Sequence, residues 1–140
     1  MKIKLDHINL TVADIQSSVD WYAKIFGFRL VEKGVGSYGQ NWAIIASNDC
    51  MIAMNEYKDK SPADHEPETA FHRMYHFGVR VSDLKEWEKI VRQNKLELYY
   101  GGVISYPFSR SWYIHDPSGH EIDVSYTDGP ELRFPKDYPG

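Results

Sequence analysis

Between residues 4 and 12 apolar and polar side chains alternate. Ile8, Leu10 and Val12 point one way, and Leu5, His7, Asn9 and Thr11 the other, which is the period of a half-buried strand. The period changes after Asp14. Ile15, Val19, Tyr22, Ile25 and Phe26 recur at helical spacing, with Asp14 placed as an N-cap and Gly27 as the stop. Residues 28–33, 41–47 and 50–57 read as three further strands, parted by the glycine-rich stretch 34–39 and by Asn48-Asp49. The first module is therefore β-α-β-β-β over 1–57.

Residues 58–72 (KDKSPADHEPETAFH) carry two prolines, many charges and little apolar period, and read as a linker. Then the pattern restarts. A strand is predicted over 74–81, with Phe77, Val79 and Val81 on one face and His76, Gly78 and Arg80 on the other. Asp83 is placed as a second N-cap, and Leu84, Trp87, Ile90 and Val91 mark a helix ending near Asn94. Strands follow at 96–100, 109–115 and 120–126, and Asp116-Pro-Ser-Gly119 has the residue order of a type I turn. The tail, 127–140, has three prolines and no period.

HINLTVADI (7–15) and HFGVRVSDL (76–84) share His, Val and Asp in register at an offset of 69. The same offset carried to the last strands lays Tyr57 on Tyr126 and Met54 on Asp123. The chain reads as one unit used twice, with the second module over 73–126 and the whole forming one domain. The fold class is α+β: two tandem βαβββ modules whose mixed sheets curl into half-barrels around a cleft.

Composition narrows the function. The net charge is −4 with no long Lys/Arg run, which argues against nucleic acid as partner. One cysteine, Cys50, excludes an internal disulfide and a CxxC metal knuckle. The N-terminus lacks the apolar core of a signal peptide, and no apolar run approaches the roughly 20 residues that span a bilayer. The expectation is a cytoplasmic protein.

The two repeated histidines stand on the non-helix face of their strands, and the alternation Ile122-Asp123-Val124 puts Asp123 on the same side. Two imidazoles and a carboxylate suit a divalent metal with open positions. Glu56, two residues beyond Met54, is read onto that face as well. A lone strand histidine is ordinarily a hydrogen-bonded structural residue; the repeat-related pair with a same-face carboxylate favours a site.

DHINLTVADIQSSVDWYAKIFGF, YHFGVRVSDL and HDPSGHEIDVSY together resemble the vicinal oxygen chelate superfamily. That superfamily includes glyoxalase I, fosfomycin-modifying thiol transferases, extradiol dioxygenases and bleomycin-resistance proteins. The resemblance implies metal ligands at His7, His76 and Asp123, with Met54 at the fourth position and Glu56 nearby as fourth ligand or general base. It implies a divalent cofactor (Ni, Zn, Fe or Mn) acting as a Lewis acid on adjacent substrate oxygens. Family members often pair as homodimers, which is the expected partner state here. Glu121 is read as a solvated strand residue, the less favoured candidate for moving a proton. Arg110, Trp112, Tyr100 and Phe108 are candidates for the substrate pocket, as is Tyr113, which alternates with Trp112.

The expected function is a metal-dependent enzyme on a small oxygen-rich substrate. A glyoxalase I-like lyase leads, with thiol transfer or extradiol dioxygenation as alternatives. The contrasting class is a metal-free protein that sequesters an antibiotic-like ligand. GVGSYG at 34–39 is literally GxGxxG, but QNWAIIAS after it reads as a strand, so a hairpin loop is expected rather than a dinucleotide site.

Overall fold

The computed structural model describes residues 1, 5–58, 74–106 and 109–127. They form β1 (Ile8–Val12), α1 (Ile15–Phe26), β2 (Arg29–Val35), β3 (Asn41–Ser47), β4 (Cys50–Glu56), β5 (Phe77–Arg80), α2 (Leu84–Gln93), β6 (Ile104–Tyr106), β7 (Ser109–His115) and β8 (Glu121–Thr127). There are two four-stranded sheets, ordered β1-β4-β3-β2 and β5-β8-β7-β6. In each, the first strand lies parallel to the last and the other pairings are antiparallel. The duplicated α+β architecture is therefore present as the periodicity predicted. The chain divides into two compact units: Met1–Glu66 with Asp116–His120, and Pro67–His115 with Glu121–Gly140. Of the predicted linker and tail, only Lys58 and Thr127 lie within the described residues.

The first unit is organised by α1. Asp14 is extended and its Oδ1 accepts from Ser17 N at 2.7 Å, capping the helix start. At the other end Gly27, with φ 71°, lets the chain turn back: Gly27 N donates to Ala23 O and Phe28 N to Tyr22 O. Between the caps, Ile15, Val19, Tyr22 and Ile25 pack on Leu10, Val12, Ala43, Ile45, Ile52 and Met54, all of them buried. The glycine-rich stretch closes the β2–β3 hairpin, with Gly36 N donating to Gln40 O at 2.8 Å and Gly39 at φ 80°.

Residues Asp116–His120 complete this unit. Asp116 Oδ1 accepts from Ser118 N and His120 N, and Gly119 N returns to Asp116 O, as expected of the Asp-Pro-Ser-Gly turn. The buried Tyr22 hydroxyl donates to Asp116 Oδ2 at 2.9 Å. Ser118 Oγ accepts from Ala13 N, and His120 Nε2 stands 2.7 Å from Thr11 O.

In the second unit Asp83 Oδ1 caps α2 by accepting from Glu86 N, and Trp87 meets Trp112 edge to face with centroids 6.4 Å apart. One predicted strand is displaced. Residues 96–100 alternate like a strand but do not form one; the second strand of this module is Ile104–Tyr106. Positive φ at Lys95, Tyr100, Gly101 and Gly102 coils the segment, which keeps one ladder-like bond, Tyr99 N to Tyr113 O.

Candidate metal centre

The pairing registers decide which side chains share a face. In the second unit Gly78 pairs with Asp123 across β5 and β8, and Tyr113 pairs with Asp123 across β7 and β8. His76 immediately precedes β5 and therefore stands on the face of Gly78. Glu121, two residues before Asp123, faces the same way and is opposite His115. His76, His115, Glu121, Asp123 and Tyr113 thus line one side of one sheet, away from the Trp87–Trp112 core.

This face is densely polar. Glu121 is 7% exposed, so it is not the solvated residue that the strand pattern predicts. Its Oε2 accepts from Tyr100 OH at 2.6 Å and stands 3.7 Å from His115 Nε2. Its Oε1 lies 3.3 Å from His76 Nδ1. Tyr99 and His115 stack with centroids 3.8 Å apart, and the edges of Tyr75 and Tyr113 flank the His76 ring. The hydrogen bond to Glu121 holds the Tyr100 phenol protonated well above the ordinary tyrosine range, with Tyr75 adding to the effect. Burial raises Tyr113 similarly, reinforced by the Tyr106 hydroxyl and the charge of Asp123.

Three buried atoms here have no hydrogen-bond partner: His76 Nδ1, Glu121 Oε1 and Asp123 Oδ1. Buried polar atoms are normally paired; His76 Nδ1 and Glu121 Oε1 face each other at 3.3 Å, and Asp123 Oδ1 marks a place where something else completes it. The His76 imidazole and the Asp123 carboxylate are donor types that suit a divalent cation such as Zn²⁺ or Mn²⁺. The residues of the second unit therefore fit such an ion in kind. Among the described residues no three His, Cys, Asp or Glu side chains are gathered so that they could hold a metal ion among them.

The first unit departs from the expected ligand set. Its registers pair Asn9 with Ala53 and Thr11 with Asn55, and Asn55 Nδ2 donates to Asn9 Oδ1. Position 53, not 54, thus answers position 123, and the repeat offset grows from 69 to 70 by the last strand. A slip of one residue moves a strand's side chains to the other face. Met54 and Glu56 therefore stand with Leu10 and Val12 beneath α1, opposite the face of His7, where the sequence reading had placed them. Both oxygens of Glu56 are engaged: Oε2 accepts from Ile15 N at 2.9 Å and Oε1 from Asn41 Nδ2 at 2.8 Å, with Lys58 Nζ at 3.6 Å. The bond from Ile15 foremost holds the Glu56 carboxyl below its ordinary range. His7 lies at the mouth of β1, half exposed, with Nδ1 2.7 Å from Asp6.

The pocket candidates separate in the same way. Tyr100 reaches Glu121. Trp112 is buried against Trp87 on the helix side, and Arg110, of the same parity, lies over Tyr126 at 5.8 Å. Neither faces Asp123. Phe108 lies outside the described residues. Sequence reasoning weighed Glu121 only as a less favoured proton carrier and did not place Glu121 or His115 on this face. The signal for both was the parity of β7 and β8, since each is two residues from Tyr113 or Asp123.

Residues 4–124 match the model of the Glyoxalase/Bleomycin resistance protein/Dioxygenase superfamily, and the chain belongs to that family. It is 23% identical over 120 residues to the metallothiol transferase FosB of Staphylococcus epidermidis, covering 86% of this chain and 79% of that protein. It is 26% identical over 135 residues to a trivalent organoarsenical cleaving enzyme of a Bacillus species, covering 89% and 74%. The fold is that of the fosfomycin resistance protein FosX of Listeria monocytogenes, solved with Mn(II) and sulfate: TM-score 0.65, 17% identity, 90% of this chain and 93% of that one.

Proposed function

We propose that this protein is a divalent-metal-dependent enzyme acting on a small electrophile, with transfer of a thiol as the reaction class. The carrying observation is the buried, unpartnered Asp123 Oδ1 on the same sheet face as His76. Similarity to a metallothiol transferase over most of the chain favours thiol transfer above the glyoxalase I-like and dioxygenase alternatives.

His76 and Asp123 are the residues assigned to the metal, and His7 is carried with them on the repeat alone. A divalent ion held there would supply Lewis acidity toward substrate oxygens. The chain's own contribution is polar. The Tyr113 phenol stays protonated beside the carboxylates, suited to orienting an oxygen-rich substrate, while the single Tyr100 O–H is held by Glu121. Glu56 takes no part in this proposal, because its carboxylate anchors α1. A homodimer is carried on the family resemblance and is tested by light scattering on the purified protein.

The test reconstitutes the protein with Mn²⁺, Zn²⁺, Ni²⁺ or Fe²⁺ and offers each form a panel of epoxides with a thiol, hemithioacetals and catechols. Thiol consumption with the epoxides, lost in Asp123→Ala, is the expected result. Turnover of hemithioacetals or catechols alone would transfer the assignment to those chemistries. Ligand binding without metal or turnover would make the protein a sequestering one.

A further inference from the structure

The mechanism above leaves one buried charged group unused. Glu121 is more deeply buried than either proposed ligand on its sheet, and a buried carboxylate is retained only where partners compensate it. Those partners converge from separate elements: Tyr100 OH at 2.6 Å from Oε2, His115 Nε2 at 3.7 Å from Oε2, and His76 Nδ1 at 3.3 Å from Oε1. The last two atoms face each other, have no other hydrogen-bond partner and stop just short of an aligned bond.

We infer that Glu121 is the positioning residue for His76: its carboxylate accepts a hydrogen bond from Nδ1–H, and the ring thereby presents Nε2 as the free lone pair for the metal. A neutral imidazole carries its proton on one nitrogen, and the partner of that nitrogen decides which. A carboxylate at one ring nitrogen fixes tautomer and orientation and raises the basicity of the other. The surroundings agree with a held ring. Tyr75 and Tyr113 meet His76 edge to face at 5.6 and 5.7 Å, and Tyr100 ties down the far oxygen of Glu121. Asp123 Oδ1 then remains as the orphan left for the ion.

This inference rests on the metal reading, so its test has one readout that needs no metal. Long-range ¹H–¹⁵N correlation spectra of the metal-free protein report the tautomer of His76. The expected result is Nδ1–H in the wild type and in Tyr100→Phe, with loss of that preference in Glu121→Ala. Glu121→Gln keeps a carbonyl acceptor and should retain it, which covers the case that the alanine variant fails to fold. Calorimetric titration with Mn²⁺ should then weaken roughly 10–100-fold in Glu121→Ala and less in Glu121→Gln. A wild-type ring protonated on Nε2, or a tautomer and an affinity both indifferent to Glu121→Ala, would overturn the inference. Nδ1–H in a wild type that binds no metal would remove the metal reading, and the positioning role with it, while leaving the Glu121–His76 bond in place.

Discussion

At the scale of single residues, Tyr22 and Asp123 show how burial sorts polar groups. The Tyr22 hydroxyl is buried but satisfied by Asp116, whose other oxygen already holds two backbone N–H groups. Tyr22→Phe removes a bond to a buried charged acceptor and should cost about 1.5–3 kcal/mol in urea unfolding. A change below about 0.5 kcal/mol would mean that the bond carries no net stability. Asp123 Oδ1 is buried and unsatisfied, so the account expects a variant without its charge to tolerate the site well when no metal is present. With the Tyr113 hydroxyl against the carboxylate, which an amide oxygen can also accept from, Asp123→Asn should match or exceed the metal-free wild type in thermal midpoint, and a lower midpoint would show that the charge itself is structurally compensated.

At the scale of elements, the helices were legible and the strand ends were not. Asp14 and Gly27 act as the caps that their residue types predict, because capping is local chemistry. Gly27→Ala should cost about 1–2 kcal/mol through its left-handed φ. Strand register is not local. The offset of 69 holds through β1 and the helix N-caps, and by the last strand it has become 70, which puts Met54 and Glu56 on the helix side. Nothing in the alternation of CMIAMNE, apolar on both faces, could reveal that. Residues 96–100 failed for a related reason: the alternation is present, but Gly101-Gly102 and the positive φ at Lys95 and Tyr100 win.

The true role of Glu56 gives an acid-stability prediction. Its carboxyl is held below the ordinary glutamate value of 4.5 by its bond to the start of α1. Its stabilising contribution is therefore present above that value and is lost as pH falls through the lower folded one. Thermal midpoints from pH 6 to 3 should fall more steeply in the wild type than in Glu56→Gln. Part of the slope should persist in the variant, because Ser17 holds Asp14 low in the same way. Parallel curves would mean that Glu56 contributes nothing to acid stability.

At the scale of the whole molecule, the duplicated modules and the family were readable from three stretches of sequence, and the candidate site only in part. The shared face of His76 and Asp123 was recoverable because strand parity places both. Parity also puts Glu121 on this face, but its burial was illegible, because a glutamate in an exposed-looking register gives no sign of the Tyr100 hydroxyl that a coiled loop brings to it. No helix among the described residues is long and apolar enough to cross a membrane. A metal that binds only the folded chain should stabilise it by about 2.7 kcal/mol at a hundredfold excess over Kd. The most direct measurement is the metal content of the protein after reconstitution and gel filtration, in the wild type, His76→Ala, Asp123→Ala and His7→Ala. The account predicts one divalent ion per chain in the wild type and loss of that ion in His76→Ala and Asp123→Ala. A wild type without metal, or an Asp123→Ala variant that retains it in full, would contradict the account.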